Sequence, residues 1–269
     1  MNTNNNESFF YDLHCHTRKS YDSISKLEKI IKIAKKRGLD GIAITDHDVL
    51  YQGETNIDGI QIIPGVEITL KDQAHLLAYF IKEPLEKCKF NLEEAVKEIK
   101  RQGGYCSLAH PYRRGEGWVK VKKRNKEEIR KAINLVDAVE LNNFKSPPRQ
   151  KLKLKKLLKS LNINKPLSAG SDAHIPGDVG FSVLKTKEKI NDKNFLNVLS
   201  NSESVTQKDK DNYKKISILI QEPLTALTKK LGLYYNRVAR KLYHHIIFYP
   251  FLIILNFFRS KVDFNLKKG

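Results

Sequence analysis

The sequence predicts an α/β fold in which strand and helix units repeat around a mostly parallel sheet, and three observations carry that prediction. Short apolar runs alternate with amphipathic helical patterns from residue 9 to residue 200. Seven or eight such units suit a barrel, closed or nearly so, better than an open sheet, a choice that periodicity alone leaves open. The 269 residues, 40% of them hydrophobic and 29% charged, suit one domain of about 200–250 residues with an appendage, or two small domains, and are far from a disordered composition.

The strands expected in order are Phe10–His14, Gly41–Thr45, Gln61–Glu67, His75–Phe80, Tyr105–Ala109, Ala138–Leu141, Leu167–Ala169 and Gly180–Leu184. Between them, Lys26–Arg37 repeats Leu27, Ile30, Ile31 and Ala34 at helical spacing, with Ser25 placed to cap its start and Gly38 to end it. Asn91–Gln102 repeats the pattern with Leu92, Ala95, Val96 and Ile99, stopped by Gly103 and Gly104. Glu127–Asn134 and Arg149–Leu161 are two further helices. The reading divides the chain into a barrel over 8–200, a polar linker over 201–212, and a basic, partly apolar helical extension over 213–269 that opens with a helix at Tyr213–Leu233.

The net charge of +19 is unevenly spread. Residues 201–269 hold 13 basic and 5 acidic side chains, and residues 119–159 hold 14 and 4. Such an excess suits a polyanion or an anionic membrane as partner without locating a function. Cys15, Cys88 and Cys106 are odd in number and widely spaced, so no disulfide partner and no cysteine zinc ribbon are expected. The polar opening MNTNNNESFF has no basic and apolar leader pattern, which points to a reducing, cytoplasmic location.

Six of the eight histidines fall in short polar clusters at the rim where barrels of this kind place their active sites. In Asp12-Leu13-His14-Cys15-His16, period-2 alternation puts Asp12, His14 and His16 on one face, a chelating pair with Asp12 as its support. Thr45-Asp46-His47-Asp48 closes the next strand, Glu67 closes another, and His75 opens the one after it. His110-Pro111 and Ser171-Asp172-Ala173-His174 complete the series. Any one of these residues alone is more often structural than functional. Five strand ends bearing His or carboxylate together point to a polynuclear metal site.

The set DLHCH, TDHD, GVE followed by His75, AHP and SDAH resembles the PHP superfamily, the polymerase and histidinol phosphatase domains, in the family's order over residues 10–184. The resemblance implies a distorted (β/α)7 barrel, similar to a TIM barrel, that holds two or three divalent metals and hydrolyses phosphoesters. It implies that His14, His16, Glu67 and Asp172 hold one metal, that Glu67 bridges to a second with His75 and His110, and that Asp22, His47 and His174 hold a third. Mixed His and carboxylate donors suit Mn²⁺, Zn²⁺ or Fe²⁺. A water between two such cations becomes hydroxide near neutral pH and attacks phosphorus, so no Ser or Cys nucleophile is required. Asp172 or His174 is placed to manage the leaving-group proton, and Arg113, directly after His110-Pro111, to fork onto a phosphate. Asp46 and Asp48 are expected to orient ligands, and Glu140 either faces the same cavity or pairs with a lysine.

The expected activity is therefore metal-dependent hydrolysis of a phosphomonoester or of the 5′-end phosphoester of a nucleotide or oligonucleotide, as a phosphatase or a 5′-3′ exonuclease. A histidinol phosphatase is less favoured, because no amino-alcohol pocket is recognisable. The competing class is a membrane- or nucleic-acid-binding module on an idle barrel, favoured by two features. One is the lysine-rich helix at 149–161, whose Leu154, Leu157, Leu158 and Leu161 share a face. The other is the apolar run 242–258, flanked by Arg237, Arg240, Lys241, Arg259 and Lys261. That run is short for a membrane span and carries Pro250. It suits a peripheral membrane anchor or a protein contact somewhat better than docking on the barrel.

Overall fold

Strand β1, Phe9–Cys15, is buried along its whole length and lies near the middle of a ten-stranded sheet. The computed structural model describes residues 7–207, 249–259, 262 and 264–268. Strands β2 (Gly41–Ile44), β3 (Asn56–Ile57), β4 (Ile60–Thr69), β5 (His75–Tyr79), β6 (Tyr105–Leu108), β7 (Ala138–Asn143), β8 (Leu167–Gly170), β9 (Ser182–Thr186) and β10 (Glu203–Thr206) follow in sequence. Their order across the sheet is β10-β9-β1-β2-β4-β5-β6-β7-β8, with β3 paired to β4. The far edge returns to β1 beyond the strand ends, where the amide of Asp172 donates to the His14 carbonyl (2.7 Å) and that of His16 to the Ala173 carbonyl (3.0 Å). The result is a distorted, nearly closed β/α barrel.

Helices α1 (Leu27–Lys36), α2 (Leu92–Arg101), α3 (Lys126–Leu135), α4 (Pro148–Ser160) and α5 (Phe195–Ser200) surround the sheet. Leu92, Ala95, Val96 and Ile99 of α2 are all buried, and Asn91 and Glu94 close a reciprocal capping box at its start. Asn125 and Glu128 do the same for α3. At α1 the cap differs from expectation: Lys26 occupies the capping position without a side-chain bond, and the Ser25 amide donates to Ser23 Oγ (3.1 Å).

Several pairings correct the sequence reading. The sheet is mixed, because β4-β5, β5-β6, β1-β9 and β9-β10 are antiparallel. Only a tight turn separates Thr69 from His75, too short for the crossover that a parallel pair needs. Residues 203–206, expected within the linker, form edge strand β10 on β9. The register of β1 shifts between Asp12 and Cys15, and this bulge breaks the period-2 alternation. Asp12 accepts from the amides of Ser171 (2.8 Å), Gly180 (2.7 Å) and His14 (3.3 Å), tying β1 to the chain after β8.

The apolar run also departs from expectation where it is described. Helix α6, Tyr249–Arg259, docks on the barrel: Leu252 and Leu255 bury against Ile175, and Asn256 Oδ1 accepts the Gly177 amide (3.0 Å). Arg259 is buried, pairs with Asp178 (3.2 Å) and lies over the rings of Phe144 and Phe181. Among the described residues no helix is long and apolar enough to cross a membrane. Residues 208–212 of the linker, the helix expected at 213–233 and residues 242–248 lie outside the described residues.

Candidate metal centre

Glu67 is the hub of the site. It is fully buried on β4, and its two oxygens face different sets of imidazoles. Oε2 lies 3.3 Å from Nε2 of both His14 and His16 and 3.2 Å from His47 Nδ1. Oε1 lies 2.9 Å from His110 Nε2 and 3.1 Å from His75 Nδ1. His75 reaches this rim from the start of a strand because β5 runs antiparallel to β4. Asp172 Oδ1 closes the first group, 3.3 Å from His16 Nε2 and 3.7 Å from His14 Nε2. Beyond it, Asp22 Oδ2 lies 3.0 Å from His174 Nε2 and 3.4 Å from His47 Nε2. All nine side chains singled out in the sequence as ligands converge here.

The protons of the two β1 histidines can be assigned. His14 Nδ1 is 2.9 Å from Glu140 Oε1, a pure acceptor, so it carries hydrogen. His16 Nδ1 is 2.9 Å from Ser20 Oγ, whose own hydrogen goes to Asp46 Oδ1 (2.9 Å), so it too is a donor. The two Nε2 atoms, 3.1 Å apart, therefore face each other as two lone pairs unless one of the rings takes up a second proton. Glu67 Oε2 and Asp172 Oδ1, aimed at the same space, are buried and face these imidazole nitrogens, with no closer donor among the described residues. In the absence of that second proton, a cation among these atoms satisfies both lone pairs and both carboxylate oxygens at once. Ligands about 2.1 Å from a tetrahedral centre are roughly 3.4 Å apart, close to the separations found.

The electrostatics agree. Burial favours the neutral form of each carboxyl, yet His14, His75 and His47 around Glu67 outweigh it and hold that group well below the usual range. Arg113 and His14 do the same for Asp172, and His174 and His47 for Asp22. Burial opposes the charge of His16, but Asp172 and Glu67 raise it to about 9. Without a cation, protons on His14, His16 and His75, which neighbouring carboxylates favour against burial, take its place.

The surrounding residues fix the ligands. Glu140 accepts from His14 Nδ1, from the His110 amide (2.7 Å) and from Asn143 Nδ2 (3.1 Å), so it faces the site and, among the described residues, pairs with no lysine. Asp46 accepts from the Thr17 amide and hydroxyl and from Ser20, which in turn holds His16. Asp48 is bound to the Thr69 amide and hydroxyl and paired with Lys87. Asp172 and His110 adopt left-handed φ values of 55° and 26°, a strain on two ligands that turns their side chains inward. Gly170 allows β8 to approach: a Cβ there would lie 2.3 Å from that of His14.

Arg113 departs from its expected place. Its Nη2 is 2.5 Å from Asp172 Oδ2 and 2.8 Å from Asn143 Oδ1, and Nη1 faces Glu116 at 3.6 Å, so its fork is engaged by the protein. Sequence reasoning missed Ser20, Glu116, Asn143 and Lys145. Glu116 brings a carboxylate to His75 and His110, and Lys145 Nζ lies 3.2 Å from His174 Nδ1. Asn143 ends β7 and obeys the strand-end rule that found the others. Ser20 and Glu116 lie in loops without periodicity.

Residues 12–246 match the PHP domain family. The chain belongs to that family. PHP domains are metal-dependent, and this one is a hydrolase of phosphoric esters. It is 26% identical over 203 residues to a protein named "Probable phosphatase" from Caldicellulosiruptor bescii, covering 63% of this chain and 81% of that one. Its fold is similar to that of PsfC from Pseudomonas syringae, with TM-score 0.61 and 14% identity over 81% of this chain and 99% of the other. It is also similar to a lesion-specific endonuclease from Pyrococcus furiosus, with TM-score 0.56 and 15% identity over 74% and 58% of the two chains.

Proposed function

We propose that this PHP domain hydrolyses phosphomonoesters at a centre of two or three divalent cations held by His14, His16, Asp22, His47, Glu67, His75, His110, Asp172 and His174. The observation that carries the reading is that the buried Nε2 atoms of His14 and His16 lie 3.1 Å from each other and 3.3–3.7 Å from two buried carboxylate oxygens, Glu67 Oε2 and Asp172 Oδ1. Cations so held supply Lewis acidity and an acidified water.

The chain's own residues supply the rest. Glu140 and Ser20 keep the His14 and His16 lone pairs turned inward, and Arg113 holds Asp172 in place. Asp172 has one oxygen in the cage and the other on Arg113, which leaves it no proton-transfer role, so of the two residues expected to manage the leaving-group proton only His174, at the rim beside Asp22, is retained. The side chains of His14, His16, Glu67, His110 and Asp172 are at most 1% exposed, whereas Asp22 is 16% exposed. A terminal phosphate can enter end-on from the Asp22 side. An internal diester would have to bring a second substituent to the same rim.

A second substrate source, the 5′ end of a nucleic acid, is favoured by α4. Its Lys153, Lys155, Lys156 and Lys159 are exposed, and Lys151 lines a pocket with Tyr112 and His110. The test compares turnover of an aryl phosphomonoester and the corresponding diester by Mn²⁺-loaded protein. The reading expects the monoester to be hydrolysed much faster and EDTA to abolish turnover. Preference for the diester, or resistance to EDTA, contradicts it.

A further inference from the structure

Among the described residues two cationic side chains touch candidate ligands. Arg113 is engaged by Asp172 and Asn143. Lys145 is not held in this way: its Nζ lies 3.2 Å from His174 Nδ1, and its carboxylate partner is Asp178, 3.9 Å away. Its side chain is 14% exposed and shares the rim with Asp22 and His174. The segment that carries it is fixed. The Lys145 amide donates to Asn143 Oδ1 (3.0 Å), and the adjacent Phe144 ring stacks 4.7 Å from Phe181.

The contacts of His174 conflict in an informative way. Its Nδ1 lies 2.9 Å from the main-chain oxygen of Asp172, which only accepts, and beside the Lys145 ammonium, which only donates. One nitrogen cannot satisfy both. With the imidazole proton on Nε2, that nitrogen donates to Asp22 Oδ2 (3.0 Å) and Nδ1 accepts from Lys145. With the proton on Nδ1, it donates to the Asp172 oxygen, and the Nε2 lone pair and Asp22 turn jointly to a cation. Lys145 then faces an N–H group, and only the distant Asp178 holds it.

We infer that Lys145 is the residue that binds the substrate phosphate, retained on His174 while the Asp22–His174 position lacks a cation and released to the open rim when that position is filled. An ammonium there adds a charge-assisted hydrogen bond to a phosphate oxygen that the engaged Arg113 does not provide. The assignment rests on reading the site as a phosphomonoester hydrolase, and it makes metal loading and phosphate affinity interdependent through one side chain.

The test measures binding of inorganic phosphate to the full-length protein by calorimetry, with and without Mn²⁺, for wild type, Lys145→Met and Lys145→Arg. Elemental analysis counts Mn²⁺ in the same samples. Loss of one charge-assisted bond weakens phosphate binding roughly 10- to 100-fold in Mn²⁺-loaded Lys145→Met, with wild-type Mn²⁺ content. Lys145→Arg recovers most of the affinity, and without Mn²⁺ wild type and Lys145→Met bind alike. Undiminished phosphate affinity in loaded Lys145→Met overturns the inference, as does loss of Mn²⁺ from it, which would make Lys145 a support for His174. Should Lys145→Met not fold, Lys145→Gln reads the same quantities. If loaded wild type itself binds no phosphate, the underlying reading of the site fails, an outcome distinct from a lysine without effect.

Discussion

Replacing Glu140 by Gln changes one atom and tests how the first metal position is held. Three donors meet its carboxylate: His14 Nδ1 on Oε1 (2.9 Å), and the His110 amide (2.7 Å) and Asn143 Nδ2 (3.1 Å) on Oε2. Glutamine is isosteric but offers one acceptor oxygen and one NH₂. If its oxygen serves His110 and Asn143, the NH₂ faces His14 Nδ1, forces the imidazole proton to Nε2, and blocks the lone pair aimed at Glu67 and Asp172. If the amide is reversed, the buried His110 N–H and Asn143 lose their acceptor. An unsatisfied buried donor costs about 1–3 kcal/mol, which corresponds to roughly 5- to 150-fold. Partners that orient metal ligands typically contribute about 10- to 100-fold in affinity. Glu140→Gln should therefore bind Mn²⁺ about 10- to 100-fold more weakly in a chelator competition, with nearly unchanged secondary structure by circular dichroism. Wild-type affinity would refute the argument that Glu140 fixes the His14 tautomer.

Two further outcomes follow from the packing and the charges. Arg259→Ala removes a buried cation from Asp178 and from the Phe144 and Phe181 rings, and breaking a buried pair costs about 3–5 kcal/mol. Denaturant unfolding should show this loss, whereas a change below about 0.5 kcal/mol would mean that α6 is not part of the fold. His16, raised from 6.5 to about 9, binds its proton more tightly in the folded metal-free protein than when unfolded. That contribution is complete below pH 6.5 and is lost as pH rises through 9. The thermal midpoint of EDTA-treated protein should therefore fall across this window, and the gain on adding Mn²⁺ should widen, because cations no longer compete with the proton. A gain that narrows with rising pH would contradict the assignment of His16.

Much of the site was legible because strand ends are where a barrel gathers side chains, and His14, His16, His47, Glu67, His110, Asp172 and His174 all stand there. What escaped had specific causes. Alternation placed Asp12 beside the histidines, but β1 bulges there and Asp12 accepts from the Ser171 and Gly180 amides. Strand β10 hid in a polar stretch because an edge strand need bury little, and its Glu203 and Thr206 are exposed. The apolar run gave one pattern for three destinations. Contacts between Leu252, Leu255 and Ile175, and the pairing of Arg259 with Asp178, are long-range facts that no local periodicity carries. Arg113 was expected to face a phosphate, but the sequence does not reveal that Asp172 and Asn143 meet it first.

The central claim is that a cluster of cations sits among the strand-end ligands, and counting metals tests it most directly. Elemental analysis of Mn²⁺-reconstituted protein, desalted and compared with the His14→Ala/His16→Ala double variant, should give two or three ions per wild-type chain and fewer in the variant. A wild-type chain that retains no divalent metal, or a double variant that retains as much as wild type, would contradict it.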